Sequence, residues 1–190
     1  MSDAPRRRNL VSLWLIAVLT TAPVAASYLI YYFWQPGRTV NYGDLIGPHV
    51  LPDATLKLMD GTAFRLSELR GKWVLAMIDD ASCDARCEKK LIYMRQLRLT
   101  QGKNSDRIER LWLVRGEGIP AAAATAREDG ARVARADVAL LRQFPAPGAA
   151  PEHIYVIDPL GNLMMRFPRD PDPRLMIKDL ARLLKASQVG

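Results

Sequence analysis

The chain has 190 residues, of which 49% are hydrophobic and 25% are charged. This composition is typical of a folded domain and argues against intrinsic disorder, and the length corresponds to one ordinary domain plus a tail. The formal net charge is +7, to which the consecutive arginines at positions 6–8 contribute three charges. Since no basic run is interleaved with aromatic residues, the sequence does not point to nucleic acid as a partner.

The N-terminal segment has the properties of a membrane anchor. Residues 10–34 carry no charge, and a helix of this length spans a hydrocarbon core of about 30 Å. Three arginines precede it, so the positive-inside rule predicts that residues 1–9 are cytoplasmic and that everything after Trp34 lies across the membrane. A cleaved signal peptide is the alternative, because residues 24–26 are small. The apolar run continues to Trp34, which favours an uncleaved signal anchor.

The segment after the anchor is predicted to be a tether. Residues 35–50 contain Pro, Gly and Asn and show little hydrophobic periodicity, so the soluble domain is assigned to residues 51–190. That domain opens with two short apolar segments on either side of Asp60-Gly61. This dipeptide is a strong signal for a tight β-hairpin.

The next segment carries the predicted chemistry. Residues 73–78 form an apolar run with the length and β-rich composition of a strand buried on both faces. A short polar connector leads to Cys83 and Cys87, the only two cysteines, and a helical pattern covers residues 87–101. Backbone N–H groups at a helix N-terminus stabilise thiolates, which attack disulfides and bind soft ions such as Cu(I). The pattern therefore predicts a redox or soft-metal site.

The C-x3-C spacing restricts the geometry of this site. Residues i and i+4 of a regular helix have Cβ atoms about 5–6 Å apart, whereas a disulfide needs roughly 3.5–4.5 Å. Either Cys83 lies in the loop before the helix, or the first helical turn distorts when the bond forms. The polar neighbours Ser82, Asp84 and Arg86 indicate an exposed setting, and the alternative is a pair of small buried residues. We expect Cys83 to be the more exposed, attacking sulfur and Cys87 to be the resolving one.

Ionisable residues of both signs flank the cysteines. Aspartates oppose thiolate formation and cations favour it, and the sequence leaves the balance between them open. Two cysteines plus aspartates would be an unusual zinc site, and the lack of a matching fourth ligand argues against structural zinc. The flanking residues are Asp79, Asp80, Asp84, Arg86, Lys89 and Lys90.

The rest of the chain alternates between predicted strands and helices. Asp137 is suited to cap a short helix, and Asp172 followed by Pro173 marks the start of the last helix. An alternation of this kind that ends in an antiparallel pair predicts a mixed sheet covered by helices. The predicted elements are a strand at 108–114, helices at 120–128 and 138–144, strands at 154–157 and 163–167, and an amphipathic helix at 174–185 with Leu175, Leu180, Leu183 and Leu184 on its buried face.

This order of elements resembles the thioredoxin fold, and the chain is similar in particular to the Sco/SenC family. The matching stretches are LKLMDGTAFRLSELRGKWVLAMIDDASCDARC at residues 56–87 and IYVIDPLGNLMMRF at residues 154–167. The resemblance spans residues 51–185 and includes the N-terminal anchor. It implies an α/β domain with a thioredoxin-like mixed sheet flanked by helices, preceded by one transmembrane helix. It also implies copper delivery to cytochrome c oxidase from a bacterial-type inner membrane, with the domain in the periplasm.

The resemblance further implies a Cu(I) site. Its ligands are the two cysteines and a histidine, which in the family lies about eight residues before the aspartate of the late turn. In this chain His153 lies five residues before Asp158: either it takes the place of the family's histidine and completes a site with Cys83 and Cys87, or it only begins a strand. The family's prolines in and after the cysteine motif are absent here, where residues 84–86 read Asp-Ala-Arg.

Three functions of different classes follow from these observations. The first is a copper-handling assembly factor. The second is a thiol–disulfide oxidoreductase without metal, which reduces a cysteine pair on a partner such as an oxidase subunit. The third is a non-catalytic scaffold that docks to an assembly intermediate. In each case the expected partners are the lipid bilayer and an oxidase subunit or assembly factor.

Overall fold

The computed structural model describes residues 4–33, 41–121 and 130–187, which belong to two compact units, Met1–Val40 and Asn41–Gly190. The first unit contains helix α1, Ala4–Phe33. Within it, Leu10–Phe33 is long and apolar enough to cross a membrane, in agreement with the predicted span.

The described part of the second unit forms one mixed sheet of eight strands. Their order across the sheet is β1-β8-β7-β4-β5-β6-β2-β3. Strand β4 pairs in parallel with β5, and β5 pairs in parallel with β6, whereas the other pairings are antiparallel. The strands are β1 (Asp44–Val50), β2 (Thr55–Leu58), β3 (Ala63–Arg65), β4 (Trp73–Asp80), β5 (Ile108–Arg115), β6 (Ala131–Arg135), β7 (Ile154–Ile157) and β8 (Asn162–Arg166).

Helices cover this sheet, which confirms the predicted α/β class. The described helices of this unit are α2 (Ala85–Leu99), α3 (Val138–Leu141) and α4 (Pro173–Ala186). Short 3₁₀ turns occupy Leu66–Leu69, Gly102–Arg107 and Ala150–Glu152.

Strand β4 lies near the centre of the sheet and is buried on both faces, as predicted. Trp73, Leu75 and Met77 point into a core that also contains both cysteines, which we call the cysteine-side core. The alternate residues of β4, from Val74 to Ile78, point into a second core on the opposite face. Because neighbouring side chains of a strand point to opposite faces, this double burial requires a continuous apolar run.

Several predicted elements are confirmed with small changes in their ends. The hairpin β2–β3 turns at Asp60-Gly61, where Gly61 has φ +88°. Asp137 caps α3 by accepting a hydrogen bond from the Leu140 N–H. Asp172 caps α4, whose buried face also includes Met176 and Asp179 instead of the more exposed Leu175.

The structure corrects the predicted tether. Residues 44–50 form strand β1, which pairs with β8 at the edge of the sheet. Pro48 and Gly47 suggested a loop, but an edge strand tolerates proline, and the register of β1 shifts between Leu45 and His49. Strand β6 had no counterpart among the predicted elements. The helix predicted at 120–128 falls mainly on residues 122–129, which lie outside the described residues.

The double burial of β4 gives a test of the fold. Val74 is 1% exposed, so Val74→Asp would place an unpaired charge in the second core. We expect this variant to lose its cooperative melt, because the penalty is comparable to the whole stability of a domain, about 5–15 kcal/mol. Thr55→Asp, at an exposed position of β2, is the matched control. A melt of Val74→Asp near the wild-type temperature would contradict the strand assignment.

Candidate functional site

Cys83 lies in the loop between the carboxyl end of β4 and the start of α2. A tight turn follows the strand, closed by a hydrogen bond of 3.2 Å from the Cys83 N–H to the Asp80 carbonyl. Cys83 has φ +40° and is the only non-glycine residue with positive φ among the described residues. This left-handed conformation is unusual for a residue with a side chain, and it turns the chain into the helix.

Asp84 is the N-cap of α2. Its Oδ1 accepts hydrogen bonds of 3.0 Å from the N–H groups of both Arg86 and Cys87. These two bonds satisfy amides that the first turn of a helix otherwise leaves unpaired. The Cys87 N–H is also the main cause of the lowered pKa of Asp84. Cys87 is therefore the third residue of the helix, and Cys83 lies just outside it.

The two cysteines form a disulfide, with their Cα atoms 5.0 Å apart. The loop placement of Cys83 confirms the first of the two predicted geometries. Cys83 is 9% exposed and Cys87 is 0% exposed, so the predicted order of exposure is also confirmed. The polar setting expected from the neighbouring residues is wrong, because both cysteines pack in the cysteine-side core. Their neighbours turn outward while the sulfurs turn inward.

A buried ion pair lies beside the site. The Nζ of Lys90 is 2.7 Å from Oδ2 of Asp79, and it also donates hydrogen bonds to the carbonyls of Ile78 and Pro151. Burial lowers the pKa of Lys90, and the Asp79 carboxylate opposes that shift. Because Ile78 and Asp79 lie near the end of β4 and Pro151 lies in the 3₁₀ turn before β7, the lysine joins α2 to a strand and to a turn.

The other aspartates also have partners. Asp80 and Arg115, which are register partners on β4 and β5, form a bidentate pair with distances of 2.6 and 2.7 Å. The hydrogen bonds from Arg115 are the main cause of the lowered pKa of Asp80. Each of the three acids near the cysteines is thus engaged by a cation or by helix amides.

A cavity of about 210 Å³ opens beside the cysteine loop. Ser82 and Asp84, the two neighbours of Cys83, line it, and ion pairs surround it: Arg169 with Glu152 at 3.4 Å and Lys89 with Asp170 at 3.7 Å. The lining residues are Asp79, Asp80, Ser82, Asp84, Arg86, Lys89, Lys90, Tyr93, Arg115, Ala149, Pro151, Glu152, Arg169, Asp170 and Pro171.

The structure does not bring His153 together with the cysteines. Its Nδ1 donates a hydrogen bond of 2.7 Å to the Phe167 carbonyl, and its ring packs edge-on against Tyr155 with centroids 6.2 Å apart. Tyr155 belongs to the second core, whereas its neighbour Ile154 belongs to the cysteine-side core. His153 therefore faces away from the sulfurs. Within the described ranges, no three His, Cys, Asp or Glu side chains are grouped to hold a metal ion.

The capping role of Asp84 and the Lys90–Asp79 pair were not predicted. An aspartate directly before a helical pattern is a recognisable N-cap signal. The buried pair has no such signal, because its partners come from separate elements that only the fold brings together.

A family model described as "Transmembrane-like, thioredoxin-like, C-terminal domain" matches residues 73–187, which is more than half of the chain. The chain belongs to this family. The match covers β4, the cysteine motif and every later element, so the described site lies inside the thioredoxin-like domain that defines the family. No curated protein has a significant sequence match to the chain.

Solved structures confirm the thioredoxin-like fold. Yeast Sco1 with copper bound has a TM-score of 0.60 and 15% identity, over 74% of this chain and 91% of that chain. A SCO1/SenC family lipoprotein from Bacillus anthracis str. Ames has a TM-score of 0.55 and 16% identity, over 74% and 99%. A thiol:disulfide interchange protein of the thioredoxin family from Chlorobium tepidum TLS has a TM-score of 0.53 and 21% identity, over 74% and 97%.

The Lys90–Asp79 pair should behave as a coupled unit in this thioredoxin-like domain. Lys90→Met leaves a largely buried carboxylate without its cation, and we expect a loss of about 3 kcal/mol in the free energy of unfolding. Adding Asp79→Leu should recover much of that loss, since the uncompensated charge is then removed. Urea denaturation of the two single variants and the double variant measures the coupling. Additive losses would show that the two residues act independently.

Asp84 should lower the reactivity of the neighbouring cysteine thiols in the reduced protein. In Asp84→Asn the side-chain oxygen can still cap the helix, but the negative charge is gone. A nearby negative charge opposes thiolate formation, so its removal should raise the thiolate fraction at neutral pH. We expect the reduced variant to react several-fold faster with iodoacetamide and to have a less negative reduction potential. Asp170→Asn, at the cavity rim, is the control, and an unchanged or slower Asp84→Asn would contradict the prediction.

Proposed function

We propose that this protein is a membrane-anchored thiol–disulfide oxidoreductase that acts through Cys83 and Cys87. The observation that carries the proposal is the cysteine pair itself, which spans the boundary between a loop and the N-terminus of α2. One sulfur lies at the edge of the core and the other is fully buried. This asymmetry suits an exchange reaction in which one thiol meets the partner and the other completes the transfer.

The proposed reaction begins with the reduced protein. The Cys83 thiolate attacks one sulfur of a partner disulfide, the partner's S–S bond breaks, and its second sulfur leaves as a thiolate that takes a proton from water. Cys87 then loses its proton and attacks Sγ of Cys83, which releases the partner's first sulfur. Two electrons move to the partner, and the Cys83–Cys87 bond forms. A dithiol donor in the same compartment must restore the reduced state.

The environment of the pair supports a reducing role. The Asp84 carboxylate occupies the Arg86 and Cys87 amides, which would otherwise be available to stabilise a thiolate, and it adds a negative charge. A dithiol whose thiolate is poorly stabilised gives up its electrons more readily, so its disulfide is the favoured state. The direction we propose is therefore reduction of the partner.

Copper handling in cytochrome c oxidase assembly is the second candidate. Once reduced, Cys83 and Cys87 would offer two soft thiolates on one helical turn, and such ligands suit Cu(I) as a cargo. The copper-bound Sco structures support this candidate at the level of the fold. Because His153 is engaged on the other face of the sheet, the candidate rests on two sulfurs, unless the reduced protein rearranges. An oxidase subunit with its own cysteine pair is a partner that fits both candidates.

Trapping experiments test the proposed exchange. Cys87→Ser keeps the attacking thiol but cannot resolve the mixed disulfide, so we expect it to accumulate a covalent adduct with its partner on non-reducing gels. Cys83→Ser should accumulate much less, and each substitution should abolish function. Equal trapping by both variants would contradict the assigned roles.

A Cu(I) titration of the reduced full-length chain separates the candidates. Tight one-to-one binding that both cysteine substitutions remove would favour copper handling. Rapid disulfide turnover without such binding would favour the oxidoreductase. A protein that shows neither property would be a scaffold, and both proposals would fail.

We also propose that the soluble unit lies in the periplasm, with α1 in the inner membrane and the N-terminus in the cytoplasm. The arginines at positions 6–8, just before the uncharged part of α1 at Leu10–Phe33, support this topology. A reporter fused after Val50 should be active if it works only outside the cytoplasm. Activity of a reporter that works only in the cytoplasm would overturn the assignment.

A further inference from the structure

The outward face of α4 carries a row of cations. Arg174, Lys178 and Lys185 are exposed, and their spacings of four and seven residues place them within about 40° of one another around the helix. The row is about 16 Å long at 1.5 Å per residue. Among the described residues, no carboxylate forms an ion pair with these three side chains, although the Asp172 cap accepts a hydrogen bond of 2.8 Å from the Arg174 N–H. We call these three residues the basic face.

The cations that line the cavity differ from this row. Around the cavity, Arg86, Lys89 and Lys90 each have an acidic partner. Helix α4 contains one acid, Asp179, and its side chain is only 1% exposed, because it turns inward. The positive charge on the basic face is therefore not compensated from within the helix.

The same inward-facing aspartate holds the start of the soluble unit. Its Oδ2 accepts hydrogen bonds from the Tyr42 N–H at 2.6 Å and from the Gly43 N–H at 2.8 Å. The Tyr42 hydroxyl in turn accepts a hydrogen bond of 2.9 Å from the Asp172 N–H, at the N-cap of α4. Helix α4 thus binds the entering chain just before that chain pairs with β8.

The number of residues between α1 and Asn41 limits how far the start of the soluble unit can be from a membrane that contains α1. Asn41 follows Phe33 by eight residues, and a fully extended chain of that length reaches at most about 28 Å. This length sets an upper limit on the distance between the end of α1 and the start of the soluble unit. A short covalent link of this kind keeps the effective concentration of the surface high, so even weak charge interactions count.

We infer that the basic face binds the anionic phospholipid headgroups of the membrane in which α1 is anchored. The inference rests on the membrane anchoring in the proposed function, but not on the chemistry of the cysteines. Each lysine or arginine near an anionic surface strengthens binding about fivefold, so three together give a factor on the order of 100. An acidic protein surface would also complement these positive charges. Only the membrane, however, is connected to the soluble unit covalently, through α1.

Lysine reactivity in nanodiscs tests the inference on the full chain. The protein is placed in discs of phosphatidylcholine alone or of phosphatidylcholine with a third phosphatidylglycerol, and acetylation rates are measured by mass spectrometry. Exposed Lys57 and Lys103 serve as internal references. We expect Lys178 and Lys185 to react several-fold more slowly than the references in the anionic discs only. About 0.5 M salt should abolish the difference, because it shortens the Debye length to about 4 Å.

Two variants test whether the protection depends on the basic face. Arg174→Gln should weaken the protection of Lys178 and Lys185 by about fivefold, whereas Arg70→Gln, an exposed arginine outside α4, should leave it unchanged.

Equal rates in both kinds of disc, or equal slowing of all four lysines, would overturn the inference. Protection that occurs in native membranes but not in lipid discs would point to an acidic protein and would also overturn it. A chain that does not enter discs would remove the anchor on which the inference depends, whereas thiol exchange measured in the same discs reports separately on the cysteines.

Discussion

The burial of β4 on both faces is the constraint from which the rest of the structure follows. A strand that supplies Leu75 to one core and Val74 to the other must lie inside the sheet, with neighbours on both sides and helices above and below. The strand then has to leave the apolar interior at its carboxyl end. It does so at Asp79 and Asp80, and the next residues form the cysteine loop. The disulfide is thus positioned by a strand whose apolar residues are buried on both faces.

The charged end of β4 determines position more than stability. Desolvation of Lys90 and Asp79 costs free energy that their attraction only partly returns, so an apolar pair of similar size could give an equally stable domain. The pair instead contributes contacts with a defined direction. Lys90 contacts Asp79, the Ile78 carbonyl and the Pro151 carbonyl. These contacts hold the first turns of α2, the end of β4 and the turn before β7 in one arrangement around the disulfide.

The sequence predicted those features that depend on local pattern. The run at 73–78 and the Asp60-Gly61 turn follow from periodicity and turn chemistry, both of which are local. The spacing of the cysteines limited Cys83 to two geometries, of which the loop placement is the one observed. Strands β1 and β6 were missed because a proline interrupts the first and the second is built from Ala131–Arg135, whose alanines and arginines have little β propensity.

The position of His153 shows where pattern alone fails. Alternation along β7 indicates that His153 and Tyr155 share a face, but it does not say which face carries the cysteines. That depends on the pairing of Met77 with Ile154, which sets two distant segments in register. A shift of one residue in this pairing would reverse the result. The likeness to a family with a nearby histidine could not replace the register, because the spacing to Asp158 differs.

The C-x3-C spacing also sets the electrostatics of the site. With three residues between the cysteines and Cys87 as the third residue of the helix, the N-cap position falls on Asp84 and Cys83 is moved one residue outside. The helix amides that could stabilise a thiolate are then bound by a carboxylate, which itself repels one. If the first cysteine were the N-cap, its sulfur would be the natural acceptor for those amides. The additional residue therefore separates Cys83 from the helix amides, and this separation is the physical basis of our proposal that the pair acts as a reductant.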